Sequence, residues 1–284
     1  MSTVLVTGAT GKVGRRVVQR LQAAGIDMVA LSRDPVNARR ILGDRVRLAE
    51  GDLRGFGAVL DADRSLNQVV LISSDQDAES AAVGAGRGRI DRWVKRSAIG
   101  WFEEPAGPHA AVERALQSDD GTAHVALRAN AFMQTLASYL PLIAPDGAVR
   151  LPAGEGRTAW IDADDIAAAL AGVVLSNGRW DGLLAPITGP QALTVQETLH
   201  VINAEAGTSY RYVDTDPGKA AALLERRVGG FGGFLAGHYQ GVAQGAFAAV
   251  TDTVRAITDR PPRSLAEVVA GDPAAWRRPQ DPAS

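Results

Sequence analysis

His109 and Glu113 stand four residues apart in "GPHAAVERAL", a stretch patterned as a helix over Pro108–Gln117. At 3.6 residues per turn the two side chains share one face, which suits three kinds of chemistry: ligating a metal, moving a proton, or satisfying a helix end. A metal needs further ligands, and no third and fourth ligand cluster with this pair in the sequence, so no metal site is expected. Proton transfer and a structural role both stay open. Ser97, at the end of the segment Trp93–Ala98, is a further candidate because a hydroxyl there can polarise a substrate carbonyl or satisfy strand-end backbone.

A second constellation lies at the start of the chain. "VLVTGATGKVGRRVV" places Gly8, Gly11 and Gly14 between an apolar run and a helical pattern. Gly8 permits a tight turn, Gly11 lets backbone approach a pyrophosphate, and Gly14 lets the helix pack on the strand, with Thr10, Lys12 and Val13 filling the loop between. This is not a Walker A loop, because Lys12 is followed by Val13 where magnesium would require Ser or Thr. After the second strand, Ser32 and Arg33 stand where an NAD site carries an acidic residue, and an arginine there pairs with a 2′-phosphate. NADP(H) is therefore the expected cofactor, the alternative being an exposed loop arginine. Asp52 and Leu53 fall where adenine would lie, and Ser73 and Ser74 beside the expected nicotinamide ribose, although each also suits a strand end.

The elements that must position these residues alternate in period. Val4–Val6, Met28–Leu31, Val46–Leu48 and Val69–Ile72 are buried-strand runs, whereas Val13, Val17, Val18, Leu21 and Ala24 recur at helical spacing. The pattern predicts an α/β fold with a doubly wound parallel sheet, extended by strands at Trp93–Ala98, Val125–Ala129 and Leu183–Ile187. Asp34-Pro35 opens a short helix, Asp162 caps one over Ala163–Leu175, and Thr194–Glu197 is a capping box opening a helix to Ala206. A strand at Tyr210–Val213 and helices at Pro217–Val228 and Phe234–Ala249 follow, the helices separated by "VGGFGG". "RPPRSLAEVV" leads into a last short helix, and the end beyond Trp276 is expected to be loose. The division is a dinucleotide-binding domain over 1–190 and a smaller C-terminal α/β lobe over 191–284.

Composition narrows the class. A net charge of −2 and a pI near 6.1 give no reason to expect nucleic acid or a membrane as main partner, so a small-molecule substrate is expected. Cysteine is absent, which removes disulfides, thiolate nucleophiles and Cys-ligated metals. With no signal-peptide pattern and no long apolar run, a cytoplasmic protein is expected.

The ordered set "VTGATGKVG", "LSRDP", "GDL", "VKRSAIG", "HAAVERAL", "LRANAFMQTL", "WIDADDIA", "ITGPQALT" and "TDRPPRSLAEVV" resembles the NmrA-like group of atypical short-chain dehydrogenases/reductases. That group includes NADPH-dependent quinone and triphenylmethane dye reductases and redox-sensing regulators. The resemblance covers nearly the whole chain and implies a doubly wound domain with a small lobe over a cleft. One departure is "LRA" at Leu127–Ala129 in place of the group's "LRP", which bears on the loop to Asn130 and Phe132. Typical short-chain dehydrogenases protonate substrate with a Tyr-x-x-x-Lys pair. None of Tyr139, Tyr210, Tyr212 and Tyr239 has that lysine, and His109 with Glu113 occupies the matching helix, as in other NmrA-like members. The expected activity is NADPH-dependent hydride transfer to a conjugated aromatic or quinone-like acceptor. The alternatives are a redox-silent NADP sensor, or an epimerase, dehydratase or cyclase on the same scaffold, and a homodimer is compatible with either. His238 and Tyr239 in "GHYQG" are candidates for polar groups of the pocket, the favoured placement being a helix surface.

Overall fold

The computed structural model describes residues 3–100, 107–119 and 121–278. The chain begins β1 (Thr3–Val6), α1 (Gly14–Ala23), β2 (Met28–Ser32), α2 (Pro35–Leu42), β3 (Arg47–Glu50), α3 (Phe56–Ala62) and β4 (Leu66–Leu71). It continues α4 (Gln76–Gly86), β5 (Arg92–Ala98), α5 (Gly107–Gln117), β6 (Ala123–Ala129), α6 (Met133–Ile143), β7 (Ala148–Leu151), β8 (Arg157–Thr158), α7 (Ala163–Leu175) and β9 (Leu184–Ile187). Then come β10 (Leu193–Thr194), α8 (Val195–Ala206), β11 (Arg211–Asp214), α9 (Pro217–Val228), α10 (Phe231–Ala243), α11 (Thr253–Thr258), α12 (Leu265–Gly271) and a 3₁₀ turn at Pro273–Trp276.

Seven parallel strands form the central sheet in the order β3-β2-β1-β4-β5-β6-β9. The strand alternation feeds two separate cores. Val4, Val6, Val70 and Val94 face α1, α7 and α11, whereas Leu5, Val69, Leu71 and Trp93 face α3, α4 and α5. Burial on both faces explains why these strands are continuously apolar. Connections leave in opposite directions from β1 and β4, so a crevice opens beyond their carboxyl ends, the usual ligand position in such sheets.

A third core forms the lobe. It packs α6, β7, α8, α9, α10, α12 and the 3₁₀ turn around Tyr139, Trp160, Tyr239 and Trp276. Because β7 pairs in parallel with β11, the lobe draws in residues 133–151. Conversely Val254 and Ile257 of α11 return to the α1/α7 side of the sheet. A cut at 190/191 does not separate these cores.

The caps at Asp34, Asp162 and Thr194 start α2, α7 and α8 as the sequence predicts, and Ser264 caps the last short helix, α12. The helix expected over Phe234–Ala249 instead runs Phe231–Ala243. Gly229, at φ +62°, ends α9, and Gly230 caps α10. A Cβ on Gly232 would sit 2.4 Å from the backbone of Leu224 and Glu225, so the glycines belong to a close helix crossing rather than to a long linker. The chain end from 279 lies outside the described residues.

Candidate active site

The loop between β1 and α1 is built around its glycines. Gly8 has φ +56°, and a Cβ there would come 2.5 Å from the Ile72 carbonyl oxygen. A Cβ on Gly14 would lie 2.1 Å from the Gly8 carbonyl oxygen, and one on Gly11 3.2 Å from the same atom. Val13 stands at the N-cap of α1, so this helix has no side-chain cap, whereas Asp34, Asp75, Asp162, Thr194, Asp216 and Ser264 cap theirs. Among the described residues the amides of Lys12 and Val13 have no hydrogen-bond acceptor. An uncapped helix start over a glycine cradle is suited to an anion such as a pyrophosphate. Thr10 lies in the loop, and Lys12 reaches across to the Gln134 carbonyl oxygen at 3.2 Å.

The remaining dinucleotide candidates are placed unevenly. Ser32 Oγ donates to the Asp34 carbonyl and accepts from its amide, while Arg33 is exposed and forms no ion pair among the described residues. Asp52 accepts the amides of Arg54 and Gly55, and Leu53 is buried at the edge of the α3/α4/α5 core. Ser73 Oγ accepts the Asp75 amide and Ser74 is exposed.

The two residues that share a helix face separate in the fold. Glu113 is buried one turn down α5, accepts a hydrogen bond from Ser97 Oγ at 2.5 Å, and is ion-paired to Arg128 at 2.9 Å. It does not hold His109. Ser97 is fully buried, and neither Ser97 nor Glu113 lines the cavity described below. Of the two roles the sequence leaves open for each, this arrangement favours the structural one, since their polar atoms are taken up by each other and by Arg128.

His109 lies instead beside Glu79 of α4, with Nδ1 4.0 Å from Oε2. Nδ1 is buried without a hydrogen bond among the described residues, as is Glu79 Oε1. Glu79 is itself paired at 2.5 Å with Lys95, and both side chains are fully buried. Burial, then the cations Lys95 and Arg96, push the His109 imidazolium down to about 3, so the ring is neutral at ordinary pH. Burial also lowers the Lys95 ammonium to about 8 against the pull of Glu79, and raises the Glu79 carboxyl. Sequence reasoning missed Lys95, Glu79 and Arg96. The available signal was a Lys-Arg pair inside the buried strand "WVKRSAIG", where charge demands a partner.

His109 borders a cavity of about 680 Å³ beyond the ends of β5 and β6. Phe132, Tyr139, Trp160, Phe234 and Phe247 supply aromatic walls, and Gln76, Arg96 and Asn130 supply polar groups. Asn130 is held by the Phe247 carbonyl at 3.0 Å, which fixes the loop that departs from the "LRP" pattern. Of the two placements open to His238 and Tyr239, the surface one does not hold: both are buried, and His238 lines the cavity. His238 packs 4.4 Å from Phe247 between ring centroids, and Tyr239 shares a 2.6 Å hydroxyl contact with Tyr139. Both lie on the inner side of α10 because the αα-hairpin turns that face toward the cavity. Desolvation lowers His238 to about 4. No three His, Cys, Asp or Glu side chains among the described residues converge as metal ligands, and no described helix is long and apolar enough to cross a membrane.

Comparison with known proteins adds the following. The profile of the NAD dependent epimerase/dehydratase family matches residues 4–82. Over the length, the chain is 31% identical to the NAD(P)H azoreductase of Xenophilus azovorans, covering 96% of this chain and 99% of the relative. The solved NADPH-dependent quinone oxidoreductase of Escherichia coli, complexed with NADPH, superposes with TM-score 0.83 at 21% identity, covering 94% and 99% of the two chains. The triphenylmethane reductase of Citrobacter sp., complexed with NADP(H), gives 0.82 at 19% identity, covering 95% and 99%. These two structures share the fold.

Proposed function

Since the chain belongs to the NmrA-like group of atypical short-chain dehydrogenases/reductases, we propose that it is an NADPH-dependent reductase of conjugated aromatic or quinone-like molecules. The observation that carries this reading is the aromatic-walled cavity of about 680 Å³ beside His109, of a size usual for small-molecule sites. Bound NADPH supplies a hydride, which is the difficult part of the chemistry. The backbone of Gly8, Thr10, Gly11, Lys12, Val13 and Gly14 holds the pyrophosphate at the uncapped start of α1. Ser32 and Arg33 take the 2′-phosphate, and Ser73 and Ser74 flank the nicotinamide ribose. Asp52 shapes the adenine side through its turn.

Phe132, Trp160, Phe234 and Phe247 stack the acceptor and exclude water. His109 is a neutral imidazole whose buried Nδ1 faces Glu79, so it orients the acceptor by hydrogen bonding rather than by delivering a stored proton. Ser97 and Glu113 are positioning residues: with Arg128 they fix α5 against β5 and β6, and thereby His109. The name of the azoreductase relative supports an aromatic acceptor. The test is the loss of reduced-nicotinamide absorbance on adding a panel of quinones and azo dyes. Tight NADPH binding with no oxidation by any acceptor would refute a reductase and leave a sensing role.

A further inference from the structure

Hydride transfer to a conjugated acceptor creates negative charge as well as reduced product. Two electrons arrive with one hydrogen at a ring atom or a conjugated nitrogen, as the C–H bond of the reduced nicotinamide breaks. The displaced π pair then settles on the acceptor's oxygen or second nitrogen. Until a proton arrives from water, that atom is an anion, and an apolar cavity is a poor place for it.

Charge accounting around the cavity identifies what meets it. Glu79 ion-pairs with Lys95 and Glu113 with Arg128, and although Glu79 also attracts Arg96 from a distance, the three cations outnumber the two carboxylates by one. Whichever partner of the buried Lys95–Glu79 pair holds the proton, that pair sums to zero. His109 and His238 are both neutral. Arg96 is different. Of the described side chains lining the cavity, it alone carries a permanent charge, and it forms no ion pair among the described residues. Its Nη2 donates to the Ser73 carbonyl, which braces the guanidinium between the ends of β4 and β5. The other donors of its planar fork remain available on the cavity side.

We propose that Arg96 is the anion-stabilising residue of this site, pairing with the oxygen or nitrogen that becomes negative during reduction, and that it selects acceptors carrying such an atom over permanently cationic ones. The inference rests on the reductase reading but is tested without turnover. A preorganised guanidinium in a dry cavity acts where charge develops and needs no proton in flight. It also explains how the site works with a histidine that holds no proton at neutral pH.

The experiment uses a nitronaphthol, whose absorption moves to longer wavelength on ionisation, with the cofactor-free full chain. Its methyl ether serves as the neutral control and a naphthyltrimethylammonium as the cationic one. The expected result is that the bound naphthol ionises about one to three pH units lower than in water, equal to a roughly 10- to 1000-fold preference for its anion. Arg96→Met should abolish the shift and Arg96→Lys should keep part of it, while the cationic probe binds weakest. If the naphthol binds with unshifted ionisation, or if Arg96→Met retains the shift, the inference is overturned and the reductase stands, since quinone-dependent NADPH oxidation is scored separately. Should Arg96→Met not fold, the unmodified protein decides: equal affinity for ionised naphthol and methyl ether overturns the assignment. Failure of every probe to bind overturns both this inference and the aromatic cavity as the acceptor site.

Discussion

Replacing Lys95 by methionine is the sharpest perturbation of the site's electrostatics. The side chain is fully buried, of similar length to methionine, and its Nζ is 2.5 Å from Glu79, so the substitution keeps volume and strands a buried carboxylate. Stranding one member of a buried pair costs about 3–5 kcal/mol. For a chain of 284 residues, an unfolding entropy of about 2.1 cal/mol/K per residue converts this to a Tm lower by about 5–8 °C. Restoring neutrality should reverse the loss, because apolar replacement of a whole buried pair is neutral or stabilising by about 1–4 kcal/mol. Lys95→Met/Glu79→Leu should therefore melt within a few degrees of the unmodified protein. His109 reports independently: with Lys95 gone and Glu79 4.0 Å away, its imidazolium should titrate above 3 in the single variant by NMR. A Lys95→Met protein as stable as the original, with an unmoved His109, would refute the buried ion pair.

Three further outcomes are expected. Gly11→Val should abolish NADPH binding with little change in Tm, since its Cβ would meet only one close atom while its branches fill the approach to the α1 amides; cofactor fluorescence and calorimetry on one sample check both. Arg33→Ala should erase a preference for NADPH over NADH by removing a charge-assisted contact worth about 1.5–3 kcal/mol, and equal affinities in the unmodified protein would remove Arg33 from the site. His109 has a folded pKa near 3 against 6.5 unfolded, so below 6.5 the unfolded chain binds more protons and stability falls with pH down to about 3. Its share of the slope approaches about 1.4 kcal/mol per pH unit only below about pH 5.5, and His238, lowered to about 4, adds a share of the same sign, so His109→Gln should reduce the dependence without abolishing it, as Tm against pH between 4.5 and 6.5 in both proteins measures.

What the sequence disclosed depended on how locally each feature is determined. The helix expected over about Ala163 to Leu175 forms there because the Asp162 cap and the apolar run lie within one segment. Likewise the Thr194 capping box closes within four residues. The glycine loop is legible for the same reason. Lys95 and Glu79, by contrast, meet only because β5 pairs beside β4 and α4 covers them, which no local spacing encodes. The His109–Glu113 spacing correctly implies one helix face. Yet one turn along the axis is enough to put His109 at the cavity rim and Glu113 among Ser97 and Arg128. The α9–α10 hairpin escaped notice because Gly232 resembles a linker glycine until Leu224 lies against it.

The routing of the chain also sets an order of assembly during synthesis. Residues 133–151 leave the ribosome long before the segments that cover them, for Tyr139 awaits Tyr239, β7 awaits β11, and Tyr210 donates to the Trp276 carbonyl only at the end. The α1/α7 layer is likewise incomplete until Val254 and Ile257 emerge. A nascent chain halted near residue 190 therefore carries its sheet but exposes the apolar flank of α6, a state prone to association with other chains. Acceptor binding becomes possible only with the last walls of the cavity, Phe234 and Phe247, so a truncated product that retains the glycine loop would be able to hold cofactor without a place for anything to reduce.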